Sequence, residues 1–576
     1  MTYEIEPIDR RIRELQAKRG EILALSPEQA LDRILDEPQP VPLVHSFPEE
    51  DFYFLIHDIG VADSMQLLEM ASDKQWEYIL DTDIWHRDHI IIPEITRWLK
   101  LFMTASPARM VRWTAEKQTE FMEYYLFRNI QVAVREHDQD PSELGDGFET
   151  HDDVFYFRVN NLPFGPEPDN PLKEERDEFL TEYLRRLSDH DHILYHSMLV
   201  ESATVLPAEM EEEMYRMRNV RLAEKGFVPF DEAVGIYQSL RPEIFEKQSQ
   251  NFVKKYPRHR ETLSPVSLYP LTVLGSDNFF ANALELLGQE GISEYLQSEF
   301  AGLCNHVISA DQRKIREREE LKGIVRKVCG YVRIGLEVLL KTDSPSPHQA
   351  ADMIRKYPLV QIFRVGYGQA AQLKWRAQRW QKQSWFEKQG FALTFWGEEW
   401  LGILGGLLIE KPLFFDNYKS GVLYRDFRSS EDIRHTEKML DSIVAADRLL
   451  SLLRISPEPV ADRFMTWKSY VLTPWARHCL GLAETPEPVP MKDFRRFFSD
   501  LWETEGGIRK IRDAMKESFL HWIAGKTEED IFAVSENYRI ILEDLFAEVE
   551  REYAAVSEQN VDARYILLFH ISENAE

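Results

Sequence analysis

Residues 359–371 read Leu-Val-Gln-Ile-Phe-Arg-Val-Gly-Tyr-Gly-Gln-Ala-Ala, and two folds compete for them. Taken as Gly366-x-Gly368-x-x-Ala371 after the apolar Leu359–Phe363, they match a dinucleotide-binding turn, whose glycines bring a pyrophosphate to a helix N-terminus. That fold needs a strand before the turn and parallel strands after it. Instead Phe363, Gly366, Ala370, Leu373, Ala377 and Trp380 recur at helical spacing straight through the glycines. Small residues on such a stripe let a second helix approach closely. The spacing therefore predicts one continuous packed helix, assigns no cofactor-binding residue, and points to a mainly α chain.

Upstream, the first third reads as a string of short helices. Ser26-Pro27-Glu28-Gln29 and Ser72-Asp73-Lys74-Gln75 have the form of capping boxes, in which side chains satisfy the free N–H groups of the first turn, and Ser106-Pro107 opens another helix. Phe52, Leu55, Ile56 and Ile59 make an apolar face that stops at Gly60, and Asp63 is expected to cap a helix carrying Met65, Leu67 and Leu68. Ile95, Trp98, Leu99 and Phe102 form the next stripe after Pro93. Helices this short are unstable alone, so residues 1–140 are expected to bury their stripes on one another in an α-solenoid-like array. Residues 141–171 turn to Pro, Gly, Asp and Asn around β-prone pieces at 147–150 and 154–159, which predicts one small hairpin turning at His151-Asp152-Asp153 and then a linker. Helix is expected again over 172–345, over an aromatic-rich region at 346–484, and over a C-terminal region at 485–576. One stripe in the first of these holds Leu321, Val325, Val328, Val332 and Leu339.

The chain has 576 residues, enough for about two to four domains. Its 98 acidic and 69 basic residues give a net charge of −29, so its field repels phosphate backbones and anionic lipid. Nucleic acid is not an expected partner, and a protein is. Lys374, Arg376 and Arg379, interleaved with Trp375 and Trp380, read as a solvated helix face. Cys304, Cys329 and Cys479 are odd in number and lack C-x-x-C spacing, which fits neither a disulfide framework nor a zinc knuckle and predicts a reducing cytoplasm. The longest apolar run, Trp400–Ile409, has ten residues, about half of a bilayer span, so a soluble protein is expected.

Several stretches carry a resemblance. They are Phe47-Pro-Glu-Glu-Asp-Phe-Tyr53 with Ile59, Gly60 and Asp63; Leu80-Asp-Thr-Asp-Ile-Trp85; Gly226-Phe-Val-Pro-Phe-Asp-Glu-Ala233 with Ile236 and Tyr237; and Tyr424-Arg-Asp-Phe-Arg-Ser429. Together they resemble an uncharacterised bacterial family known only as a domain of unknown function, over most of the chain. The resemblance implies one coherent chain and supplies no activity, ligand or catalytic residue.

Two further stretches are dense in chemistry-bearing groups. In Asp189-His-Asp-His-Ile-Leu-Tyr-His196, a continuous helix would set Asp189, His192 and His196 at offsets of three and four. Two imidazoles and a carboxylate on one face can bind zinc or iron and leave positions for water. The competing structural reading makes Ser188, with Asp191 three places on, the cap of a helix restart. Asp81-Thr-Asp-Ile-Trp-His-Arg-Asp-His89 fails as an EF-hand, because His86 stands where glycine is needed and Ile92 where glutamate is needed. It reads as a charged loop pinned by Trp85. The chain lacks a P-loop, a G-x-S-x-G elbow, H-E-x-x-H and kinase signatures. A helical binding or scaffolding protein is the first expectation. The alternative is a metal-assisted enzyme of unrecognised type using the histidine cluster near residue 190. A scaffold needs only a surface groove, whereas an enzyme needs a concavity on which buried titratable groups converge.

Overall fold

A computed structural model of the protein describes residues 5–160, 171–249, 254, 279–289, 293–342, 345–455, 465–505 and 508–572. In it the helix Leu359–Gln383 runs unbroken through Gly366 and Gly368. Phe363, Ala370, Leu373 and Ala377 are buried along the expected stripe. At Gly366 a Cβ would overlap the carbonyl oxygen of Tyr331 and stand 2.8 Å from the nitrogen of Gly335. At Gly335, in the helix Arg318–Leu340, a Cβ would overlap the carbonyl oxygen of Ile362. The two glycines thus let one helix backbone lie against the other. Tyr331 closes the contact edge-on to Phe363 and Tyr367, with ring centres 5.4 and 5.3 Å apart. No space for a phosphate is left there.

The chain divides into two compact units. The first comprises Met1–Gln238, Asn251–Cys329 and Ser346–Val360, and the second Ser239–Gln250, Gly330–Pro345 and Gln361–Glu576.

In the first unit the helices Pro27–Leu35, Pro40–Ser46, Glu49–Ile59, Met65–Met70, Asp73–Asp83, Ile92–Ala105 and Pro107–Lys117 each pack on a helix one or two places further along. Their centre is aromatic: Trp76 stacks on Phe102 at 4.4 Å, with Trp98 and Trp113 beside them. Ser72 and Gln75 form the expected capping box. Ser26 does not: its hydroxyl accepts no cap hydrogen bond, and the helix starts on Pro27, whose fixed φ is already helical. Gly60, at φ 105°, ends its helix as expected, but Ser64 precedes the next one in place of Asp63.

The hairpin is present and larger than expected. Phe155–Val159 pairs antiparallel with Glu149–Thr150 on one side and with Ile130–Val134 on the other, with Val132 opposite Phe157. Four other two-stranded pairs occur among the described residues, so strands are not confined to this hairpin. Helix dominates throughout, and no described helix is long and apolar enough to cross a membrane.

The second unit holds the helices Glu398–Leu408, Ser430–Leu453, Trp467–Cys479, Asp513–Thr527 and Ile531–Tyr553, and Trp385, Phe391, Phe395 and Tyr470 form an aromatic cluster in it. Its basic stretch is taken up internally. Arg376 pairs with Asp441 and Glu437, Lys374 donates to the Glu410 carbonyl, and Arg379 to the Trp375 carbonyl. Arg425 is gripped by Asp416 at 2.7 Å and by both oxygens of Asp432 at 2.7 and 2.9 Å.

Candidate functional site

Four separate segments of the first unit meet around a cavity of about 260 Å³. Glu49–Ile59 begins with three acidic residues, a favourable composition for a helix N-terminus, and sends Glu50 and Tyr53 to the wall. The Asp73–Asp83 helix contributes Tyr78 and Thr82, and Trp85 follows it. Pro207–Glu224 contributes Arg218. It then ends at Lys225, and Gly226, at φ 79°, turns the chain so that Phe227–Phe230 line the same space. Ser293–Asp311 adds Asn305 and Ile308, and Lys314 follows it.

Polar groups gather at two places on this mostly apolar wall. At the first, the Lys225 ammonium pairs with Glu49 and lies 3.4 Å from Glu50. Among the described residues neither buried oxygen of Glu50 receives a hydrogen bond, and burial pushes its carboxyl up against the pull of Lys225. Asn305, only 2% exposed, donates to the Lys225 carbonyl at 2.9 Å, while its own Oδ1 has no partner among the described residues. At the second, Arg218 Nε donates to the carbonyl of Asp81 and Lys314 Nζ to that of Asp83, each at 2.6 Å. Cations are well placed on the last carbonyls of a helix. Burial lowers the pKa of both groups. Arg218 Nη1 also donates to Asn219 Oδ1 at 3.4 Å, so among the described residues its Nη2 and part of the Lys314 ammonium are left to face the cavity.

Beneath lies a buried network. Asp83 is wholly buried and accepts from Tyr53 Oη at 2.8 Å, Trp98 Nε1 at 3.1 Å and Arg316 Nε at 3.3 Å, with His57 Nε2 at 3.6 Å. Burial alone would raise its carboxyl. The His57 imidazole, the Arg316 charge and the Tyr53 hydroxyl overcome this and hold it at about 2. Asp81 receives both Nε and Nη2 of Arg221 at 2.7 Å. The stretch read as a charged loop is therefore two things. Asp81 and Asp83 are buried in the last helical turn, while His86–His89 form an exposed hairpin after the buried Trp85. The signal available was the apolar setting of both carboxylates between Ile79, Leu80 and Ile84. Their arginine partners, Arg221 and Arg316, lie 140 and 233 positions away and carry no local mark.

The histidine cluster is assembled differently from its sequence spacing. Asp191 accepts from the N–H groups of Ile193 and Leu194, each at 3.0 Å, so it, and not Ser188, caps the restart between Pro171–His190 and His192–Thr204. The break removes Asp189 from the face of His192 and His196, and Asp189 pairs with Arg185 at 3.0 Å. His192 and His196 stay together, with ring centres 4.3 Å apart. Asp152, from the hairpin turn, takes the third place: its Oδ2 is 2.5 Å from His196 Nε2. One ligand atom from each of Asp152, His192 and His196 lies within 4.8 Å of the others.

No curated protein and no solved structure matches the chain. Three of the four stretches that carry the resemblance, Phe47–Tyr53, Leu80–Trp85 and Gly226–Ala233, meet at the cavity. The fourth, Tyr424–Ser429, contains Arg425 of the second unit. The model of a family of unknown function (DUF6178) matches residues 7–572, and the chain belongs to that family.

Proposed function

We propose that the chain is a binding protein whose ligand is a small molecule with an apolar or aromatic body, one acidic group and one hydrogen-bond donor, held in the cavity of the first unit. The observation that carries this reading is the pairing of unmet needs on one concave wall. Arg218 and Lys314 have N–H groups to give, Asn305 has an oxygen to fill, and Glu50, ion-paired with Lys225, still lacks a close hydrogen bond. Buried polar groups without partners cost about 1 to 3 kcal/mol each, so an occupant that satisfies them is favoured. Convergence of titratable groups from several segments counts against a purely scaffolding role, for which a surface groove suffices, and is a feature that a small-ligand site shares with the enzyme alternative. The volume suits a metabolite-sized molecule, just under the range of about 300 to 1,000 Å³ typical of drug-sized sites. A reducing, cytoplasmic setting belongs to the same proposal, supported by three unpaired thiols, Cys304 and Cys329 buried and Cys479 exposed.

The test is thermal melting of the full chain with 4-hydroxyphenylacetate, which has the ring, the acid and the donor, against 4-hydroxybenzyl alcohol, which lacks the acid. The acid is expected to raise the melting temperature and the alcohol is not, with the rise lost in Arg218→Gln. An equal response to both compounds, or an unchanged rise in Arg218→Gln, overturns the assignment.

A further inference from the structure

We infer that Asp152, His192 and His196 form a site for one divalent transition-metal ion of the zinc class, with coordination positions left for water. This stands apart from the cavity and shares no residue with it. His192 and His196 are one helical turn apart and project from the same face of His192–Thr204. The carboxylate arrives from another element and is fixed there. Asp152, with its side chain only 3% exposed, uses Oδ1 to accept from the N–H groups of Val154 and Phe155, each at 2.8 Å, and from the Thr150 hydroxyl at 3.2 Å. Its Oδ2 is thereby left for the histidines. The His196 ring is held against Phe155 at 4.5 Å, and the Ser188 hydroxyl lies 3.4 Å from His192 Nδ1, a contact that leaves Nε2 of that ring as the metal-facing atom.

The geometry needs only small adjustment. Metal–nitrogen and metal–oxygen bonds of about 2.0 to 2.2 Å place neighbouring ligand atoms roughly 3 to 3.5 Å apart. The 2.5 Å contact between Asp152 and His196 opens by less than an ångström, and the exposed His192 closes from within 4.8 Å by side-chain rotation. Two nitrogens and one carboxylate oxygen suit zinc, or iron in its divalent state, and three protein ligands leave the sphere open, as in sites that hold a reactive water. A second observation in the same corner also points to a polar occupant. The Tyr195 hydroxyl and His151 Nε2 are buried without a hydrogen-bond partner among the described residues, and the Tyr195 ring centre lies 5.8 Å from that of His196 and 6.2 Å from that of His151.

The experiment uses the full chain, stripped with chelator and titrated with Zn²⁺ by calorimetry and with Co²⁺ by visible absorption. The expected result is one ion per chain and Co²⁺ d–d bands of a low-coordinate site. His192→Ala should weaken binding by at least about tenfold, while the metal-free melting temperature is unchanged because His192 is exposed. Asp189→Ala should bind as the parent does. Less than a tenth of an ion per chain at micromolar Zn²⁺, or His192→Ala binding as tightly as the parent, overturns the site. Loss of binding in Asp189→Ala overturns the ligand set.

Discussion

At two places in this protein something comes up against the carbonyl oxygens of a helix. At the seam between Arg318–Leu340 and Leu359–Gln383, glycines face the carbonyls of Tyr331 and Ile362 with nothing between. At the cavity, Arg218 and Lys314 reach the carbonyls of Asp81 and Asp83 from far along the chain. The first arrangement removes side chains until backbone meets backbone. The second inserts long cationic side chains that hold the walls apart and keep hydrogen-bonding capacity in reserve. Close packing excludes ligands at the seam, and the propped, half-satisfied polar groups at the cavity are the feature on which the proposed ligand rests.

The comparison is most exposed at Gly366. The obstacle to a Cβ there is backbone on both sides, so no rotamer change can relieve it. Gly366→Ala should destabilise by about 3 kcal/mol, the upper end of ordinary overpacking, measured by urea unfolding. A silent Gly366→Ala would show that the seam is not closed.

Next in size is Asp83. Its folded pKa of about 2 lies below an unfolded value of about 3.9, so folding is favoured by ionisation, by roughly 2.5 kcal/mol. That contribution is fully present above about pH 4 and is lost as the pH falls toward 2. Unfolding free energies at pH 5 and pH 2.5 should therefore differ more in the parent than in Asp83→Asn. Equal pH dependence in the two would place the network outside the forces that hold the cavity floor.

Arg218→Gln should cost only about 1 kcal/mol of stability, the worth of its hydrogen bond to Asp81, yet abolish the ligand-induced rise in melting temperature. A large loss of stability would make Arg218 a strut and nothing more. The smallest effect is expected at Gly368. A Cβ there would stand 2.6 Å from the Ser239 hydroxyl, which can rotate away, and alanine is about 1 kcal/mol better inside a helix. Gly368→Ala should melt within a few degrees of the parent, in contrast to Gly366→Ala.

Legibility followed locality. The helix through Gly366 could be read because its period is carried by neighbours three and four places away, and the Ser72–Gln75 box and the stop at Gly60 are equally local. Ile130–Val134 was missed because its five residues directly follow the Thr119–Asn129 helix and are strand only by pairing with Phe155–Val159. His192 and His196 were paired from spacing alone, and the fold keeps their rings 4.3 Å apart. Asp152, which the fold sets beside His196, lies 44 positions from it, whereas Asp189, the local carboxylate of the sequence reading, is turned to Arg185 by the cap at Asp191. The cavity was invisible for the same reason: Glu50, Arg218, Asn305 and Lys314 become one wall only when four separated segments fold together.

The glycine seam also sets a timescale. A side-chain interface can loosen one rotamer at a time, but two backbones in contact part together or not at all. The amide hydrogens of Tyr331–Gly335 and Ile362–Gly366 should therefore be among the last in the second unit to exchange with solvent, released only when the whole unit opens.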